Sequence, residues 1–169
     1  MTYKHNDIVT DNSEIILTEV KMGNEVFYKI SNADKMRPFF MSIVSNANHW
    51  LFVSSNGGIS AGRKSPEYAL FPYYTDDKIT ESAEITGSKT IIRLYQNEKI
   101  NVWEPFSIRS EGNYFISRNI YQNRFGNKII FEEVNHDLAL SFQYEWNSSN
   151  LYGFVKKSTL LNLSGESML

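Results

Sequence analysis

From Leu138 onward, apolar and polar residues alternate. Leu138, Leu140, Phe142, Tyr144 and Trp146 are separated by Ala139, Ser141, Gln143 and Glu145. Successive side chains of a strand point to opposite faces, so this run predicts a long strand with one buried face. Residues 128–134 (KIIFEEV) predict a strand before it. The Asn135-His136-Asp137 step predicts a tight turn between them, because Asn and Asp accept turn backbones cheaply. Downstream, residues 153–163 place Val155, Thr159, Leu161 and Leu163 on one side. Residues 126–163 are expected to form a three-stranded antiparallel meander.

Shorter β-like runs precede it at 15–20, 26–30, 39–44, 50–54, 90–95, 102–108 and 114–121, punctuated by Gly, Asn and Asp. That spacing is typical of all-β sandwiches. No amphipathic helical window exceeds about two turns. Ser65-Pro66-Glu67 predicts one short helical turn, with Ser at the cap and Pro at the first position. Repeats and low-complexity linkers are absent. The expected fold is an all-β antiparallel sandwich in a single domain, residues 1–169. Ser167-Met168-Leu169 begins a new apolar run just where the sequence stops. This suggests the front piece of a longer polypeptide and a partial module.

Composition narrows the function classes. The chain has 169 residues, including 11 Phe, 10 Tyr and 3 Trp, and a formal charge of −2. Nucleic-acid binding draws on a basic surplus to release counterions, and here there is none. Zero cysteines removes disulfides, zinc–thiolate sites and thiol catalysis. The polar start, with His5, Asp7, Asp11, Glu14 and Glu19, lacks the features of a secretory signal. No run approaches the roughly 18 apolar residues of a membrane span. A cytoplasmic protein with no membrane partner is the expectation.

Candidate chemistry is sparse. Gly58-Ile59-Ser60-Ala61-Gly62 matches the G-x-S-x-G nucleophile elbow, with Asp76, Asp77 and His136 downstream in the order of a triad. The elbow needs a strand-to-helix turn above a parallel sheet, yet Pro66 falls where the helix should run and no βαβ pattern appears. A glycine-rich loop accounts for the match better. Glu104, Glu132, Glu133, Asp137 and Glu145 lie on or beside predicted strands, and glycoside hydrolysis uses paired carboxylates. Glu132 and Glu133 point to opposite faces, however, and a solvated sheet face accounts for all five. His5, His49 and His136 share no metal-ligand spacing, and no nucleotide-binding motif occurs. No catalytic residue, metal or cofactor is expected.

The segment Phe71-Pro72-Tyr73-Tyr74-Thr75-Asp76-Asp77 gathers rings and carboxylates, with Arg63 and Asn56-Gly57-Gly58 nearby in sequence. Sugars offer apolar ring faces to aromatics and hydroxyls to Asp, Asn and Arg. Arg63, Tyr73, Tyr74, Asp76 and Asp77 are therefore candidate carbohydrate-binding residues. A structural role covering the end of a sandwich explains the same residues equally simply.

The runs Trp50-Leu51-Phe52-Val53-Ser54-Ser55-Asn56-Gly57-Gly58 and Ala69-Leu70-Phe71-Pro72-Tyr73-Tyr74-Thr75-Asp76-Asp77-Lys78-Ile79 resemble the start of large bacterial proteins related to cellobiose phosphorylase. The meander is similar to the N-terminal β-sandwich of that group. The resemblance implies a galactose-mutarotase-like supersandwich ahead of a helical linker and an (α/α)₆ barrel, with the catalytic acid in the barrel. It implies a non-catalytic N-terminal domain of a glycoside phosphorylase or hydrolase. Such a domain would shape the edge of the sugar site or form a homodimer, and its partners would be an oligosaccharide or a downstream catalytic domain. Two alternatives stay open: a stand-alone carbohydrate-binding module, and a structural or oligomerisation domain without ligand.

Overall fold

A computed structural model describes residues 14–71, 76–87, 89–96 and 99–165. Its strands are β1 (Ile16–Met22), β2 (Glu25–Ser31), β3 (Phe40–Ile43), β4 (His49–Ser54), β5 (Ile59–Arg63), β6 (Ala69–Phe71), β7 (Ile92–Gln96), β8 (Lys99–Trp103), β9 (Ile116–Asn123), β10 (Lys128–Asn135), β11 (Leu140–Ser149) and β12 (Gly153–Asn162). Two short helices, α1 (Asp76–Glu81) and α2 (Ala83–Thr86), follow β6. A six-stranded sheet runs β1-β2-β9-β10-β11-β12, a four-stranded sheet β3-β4-β5-β6, and β7 and β8 form a separate hairpin. All pairs are antiparallel. The small sheet and the hairpin are thus one long excursion between β2 and β9, which pair directly. None of the described helices is long and apolar enough to cross a membrane.

The alternation read from the sequence places the core. Leu140, Phe142, Tyr144 and Trp146 of β11 are buried on the face that also carries Ile129 and Phe131 of β10 and Ile120 of β9. Against it packs the inner face of the small sheet: Ile43, Leu51, Val53, Ile59 and Ala61. An all-β sandwich with antiparallel sheets packed together is therefore the observed fold. Leu138 is buried too, but it sits in the β10–β11 turn, where its N–H donates to Asn135 Oδ1 at 3.0 Å. The meander over 126–163 stands as expected, and the Pro66–Tyr68 3-10 turn follows Ser65 as the sequence indicated.

Three expectations need correction. Ile59 to Gly62 of the G-x-S-x-G run belong to β5 rather than to a loop, and Ser60 is fully buried within the strand. The run's glycines answer to packing. A Cβ on Gly58 would lie 2.1 Å from the Ile79 carbonyl oxygen of α1, and one on Gly62 would lie 2.4 Å from the Trp50 indole. The predicted strand at 102–108 ends at Trp103, because Phe106 turns into a left-handed conformation (φ 62°). Finally, the solvated-face account of the carboxylates fails for Glu133, which is only 2% exposed.

Glu133 stands two residues beyond Phe131, on the buried side of β10. One carboxylate oxygen accepts the Trp103 indole N–H at 2.8 Å. The other accepts the Phe106 amide at 2.7 Å and Arg118 Nε at 2.7 Å. The Phe106 ring packs edge-on against Tyr144 (centroids 5.1 Å apart), which stacks on Phe131 at 4.8 Å. A buried carboxylate is tolerated only when paired and hydrogen-bonded, and removing one partner leaves the other stranded. Glu133→Ala and Arg118→Ala should each lower the unfolding free energy by about 3–5 kcal/mol. In urea denaturation the double variant should lose less than the sum, since both singles break one network. Additive losses would contradict this role for the pair.

Candidate functional site

Two clefts flank the sandwich. One, of about 450 Å³, runs between the Ala33–Lys35 turn, the α1–α2 region and the Phe106 turn. Much of its polar lining is engaged internally: Arg118 with Glu133, Asn119 Nδ2 with Glu132 at 2.7 Å, Asn56 Nδ2 with the Thr80 carbonyl at 2.7 Å, and Glu84 with Lys89 at 2.6 Å.

The other cleft, of about 500 Å³, opens at the opposite end of β11. The small sheet contributes His49, Arg63, Leu70 and Phe71, and the large sheet Trp146, Phe154 and Lys156; the β11–β12 turn closes it with Asn150, Leu151, Tyr152 and Gly153. The turn forms because Ser149 Oγ accepts the amides of Leu151 and Tyr152 at 3.2 and 3.3 Å. It carries Tyr152 outward, 79% exposed. His49 pairs with Arg63 across β4 and β5, and its ring lies 5.2 Å from that of Phe154. Lys156 reaches over the Tyr144 ring at 5.0 Å, and burial holds its pKa below the ordinary lysine value. His49 and Trp146 are 7% and 8% exposed, yet His49 Nδ1 and Trp146 Nε1 have no hydrogen-bond partner among the described residues. An unsatisfied buried polar group costs about 1–3 kcal/mol.

Of the residues singled out in the sequence, Arg63 lines this cleft. Tyr73 and Tyr74 lie outside the described residues, as do the side chains of Asp76 and Asp77 and residues 166–169. The backbone of α1 packs at the Gly58 end of β5, with Arg63 at the other end, about 16 Å away by strand rise. Between Arg63 and α1, β6 runs back along β5. Asn150, Tyr152 and Phe154 were missed, since a hairpin turn offered no chemical signal of its own.

The other candidates dissolve into structural roles. Ser60 sits inside a strand, and His136 bonds Ser117 Oγ at 3.0 Å, so no triad forms. Asp137 accepts the Phe115 amide, Glu104 pairs with Arg109 at 2.7 Å, and Glu145 accepts Asn147 Nδ2. Glu132 and Glu133 occupy opposite faces of β10, so they are no catalytic pair. No metal-binding cluster of His, Cys, Asp or Glu occurs among the described residues. No known protein-family model matches the chain, and no curated protein sequence matches it significantly.

On the outer face, Glu132 accepts Tyr121 Oη at 2.6 Å, Asn119 Nδ2 at 2.7 Å and Gln143 Nε2 at 2.6 Å. Burial raises its pKa, but these bonds and the Lys29 charge outweigh burial and leave it below 4.5. Burial, with the neighbouring carboxylate, pushes the Tyr121 phenol upward, so tyrosine stays protonated as donor while Glu132 stays ionised. A depressed carboxylate pKa stabilises the fold above the unfolded value and loses that contribution as pH falls through the folded one. Stability should therefore decline below about pH 4.5. Glu132→Gln should flatten that acid limb in a pH series of denaturant midpoints; an unchanged limb would contradict the assignment.

Proposed function

We propose that this chain is a non-catalytic β-sandwich that binds carbohydrate in the cleft between His49, Arg63, Trp146 and Phe154. The observation that carries the reading is the lining itself. Trp146, Phe154 and the outward Tyr152 offer ring faces, Arg63 and Asn150 offer polar groups, and His49 and Trp146 of the lining each keep a buried nitrogen without a partner among the described residues. A concave, mostly apolar site with a few convergent polar groups is how proteins bind small hydroxylated ligands. The likeness of residues 50–58 and 69–79 to proteins related to cellobiose phosphorylase supports the same reading. On it, this sandwich serves the edge of the sugar site in a cytoplasmic glycoside phosphorylase or hydrolase, and the chemistry belongs to another domain.

Titration calorimetry with a panel of β-linked glucose oligosaccharides tests this. Binding is expected, and Tyr152→Ala should weaken it by about 1–3 kcal/mol if the ring stacks on sugar as aromatics stack on bases. The same protein should not cleave the oligosaccharides with phosphate or water. Absence of binding, or equal affinity in Tyr152→Ala, would contradict the site; turnover would contradict the non-catalytic role.

A second reading draws on the edge strand β12. With β1, it is one of the two outermost described strands of its sheet, and Leu160 and Leu161 on it are about half exposed. Such an edge is a template for pairing with another strand, which favours a structural or oligomerisation role. Sedimentation analysis should then give a dimer that Leu161→Lys disperses; a monomer at all concentrations would exclude it.

A further inference from the structure

We infer that the cleft prefers a carbohydrate bearing an anionic group, a carboxylate or a phosphoryl, and that Arg63 receives the charge. The inference rests on the carbohydrate reading above and adds a ligand class to it.

Charge distribution is the first support. The protein as a whole is slightly acidic, with formal charge −2. Yet the described residues lining this cleft include Arg63, Lys156 and the His49 imidazole and no carboxylate. The opposite cleft differs: Asp34, Glu81, Glu84 and Glu111 line it beside Lys35 and Arg118. Two carboxylates near Arg63 and Lys156 along the chain are committed elsewhere. Glu67 accepts the Ser65 hydroxyl, which lowers its pKa, and Glu145 accepts Asn147 Nδ2 at 3.0 Å on the other face of β11. Arg63 itself makes no ion pair among the described residues.

Donor chemistry is the second. The Trp146 indole nitrogen can only donate, and His49 Nδ1 donates in one of its two neutral tautomers and when the ring is protonated. Both residues are more than nine-tenths buried, and both atoms lack partners among the described residues. Both residues line the cleft that Arg63 lines, and a ligand oxygen that reached these buried nitrogens would satisfy donors left unspent. Arginine holds planar oxyanions by two parallel bonds, which makes it the natural receiver.

The test compares a glucuronic acid-terminated disaccharide, its neutral glucose-terminated counterpart, a glucose phosphate and inorganic phosphate, each titrated into the full chain at low salt. Either acidic sugar should bind about ten- to a hundredfold more tightly than the neutral one, the worth of one charged hydrogen-bonded contact. The preference should shrink with added salt. Arg63→Gln, at an exposed strand end, should bring the ratio close to one, and Lys156→Gln should reduce it. Neutral sugar binding as tightly as both acidic forms would overturn the inference and leave the carbohydrate reading intact. No binding by any sugar would overturn both. Inorganic phosphate binding as tightly as the glucose phosphate would show an anion site without sugar recognition, which also overturns the inference.

Discussion

The carboxylate of Glu133 is the constraint on which the rest of this sandwich depends. It ties three distant segments together: the end of β8 through Trp103, the following turn through the Phe106 amide, and β9 through Arg118. The turn would not hold by itself, since a bulky residue at φ 62° is unfavourable. Glu133 fixes its amide while Phe131, Phe142 and Tyr144 pack around its ring. The charge is costly to bury and worth keeping only because every partner is present. Polar specificity and aromatic packing thus meet at one point of β10.

Each side of that arrangement carries a cleft. The Phe106 turn packs over the Phe131, Phe142 and Tyr144 rings, on the Glu133 side. At the Trp146 end, four residues further along β11, the β11–β12 turn and the small sheet together line the cleft that contains Arg63. The site is therefore built on strand ends and one hairpin turn over a rigid core. Strand residues hold Arg63, Trp146 and Phe154, while the turn supplies Asn150 and Tyr152.

Much of the fold was legible because one physical rule governs it. Strand period two gave β10, β11 and β12 and the buried row from Leu140 to Trp146. The same rule, pressed further, points to Glu133: it is in phase with Ile129 and Phe131, so its side chain had to enter the core and find partners. β5 was illegible for a different reason. Its small residues look like a loop until the Trp50 indole and the Ile79 carbonyl are seen filling the space above them. The cleft's lining was less legible, because the residues that share it with Arg63 come from a hairpin nearly a hundred residues away, and only tertiary pairing brings them together.

The most direct test of a carbohydrate site at this end of the sandwich is a nuclear magnetic resonance titration of the isotopically labelled chain with an oligosaccharide. The account predicts that the Trp146 indole N–H and the Arg63, Tyr152 and Gly153 amides shift together in one saturating process. Shifts confined to the Phe106 cleft or the outer Glu132 face, or no shifts at all, would contradict it.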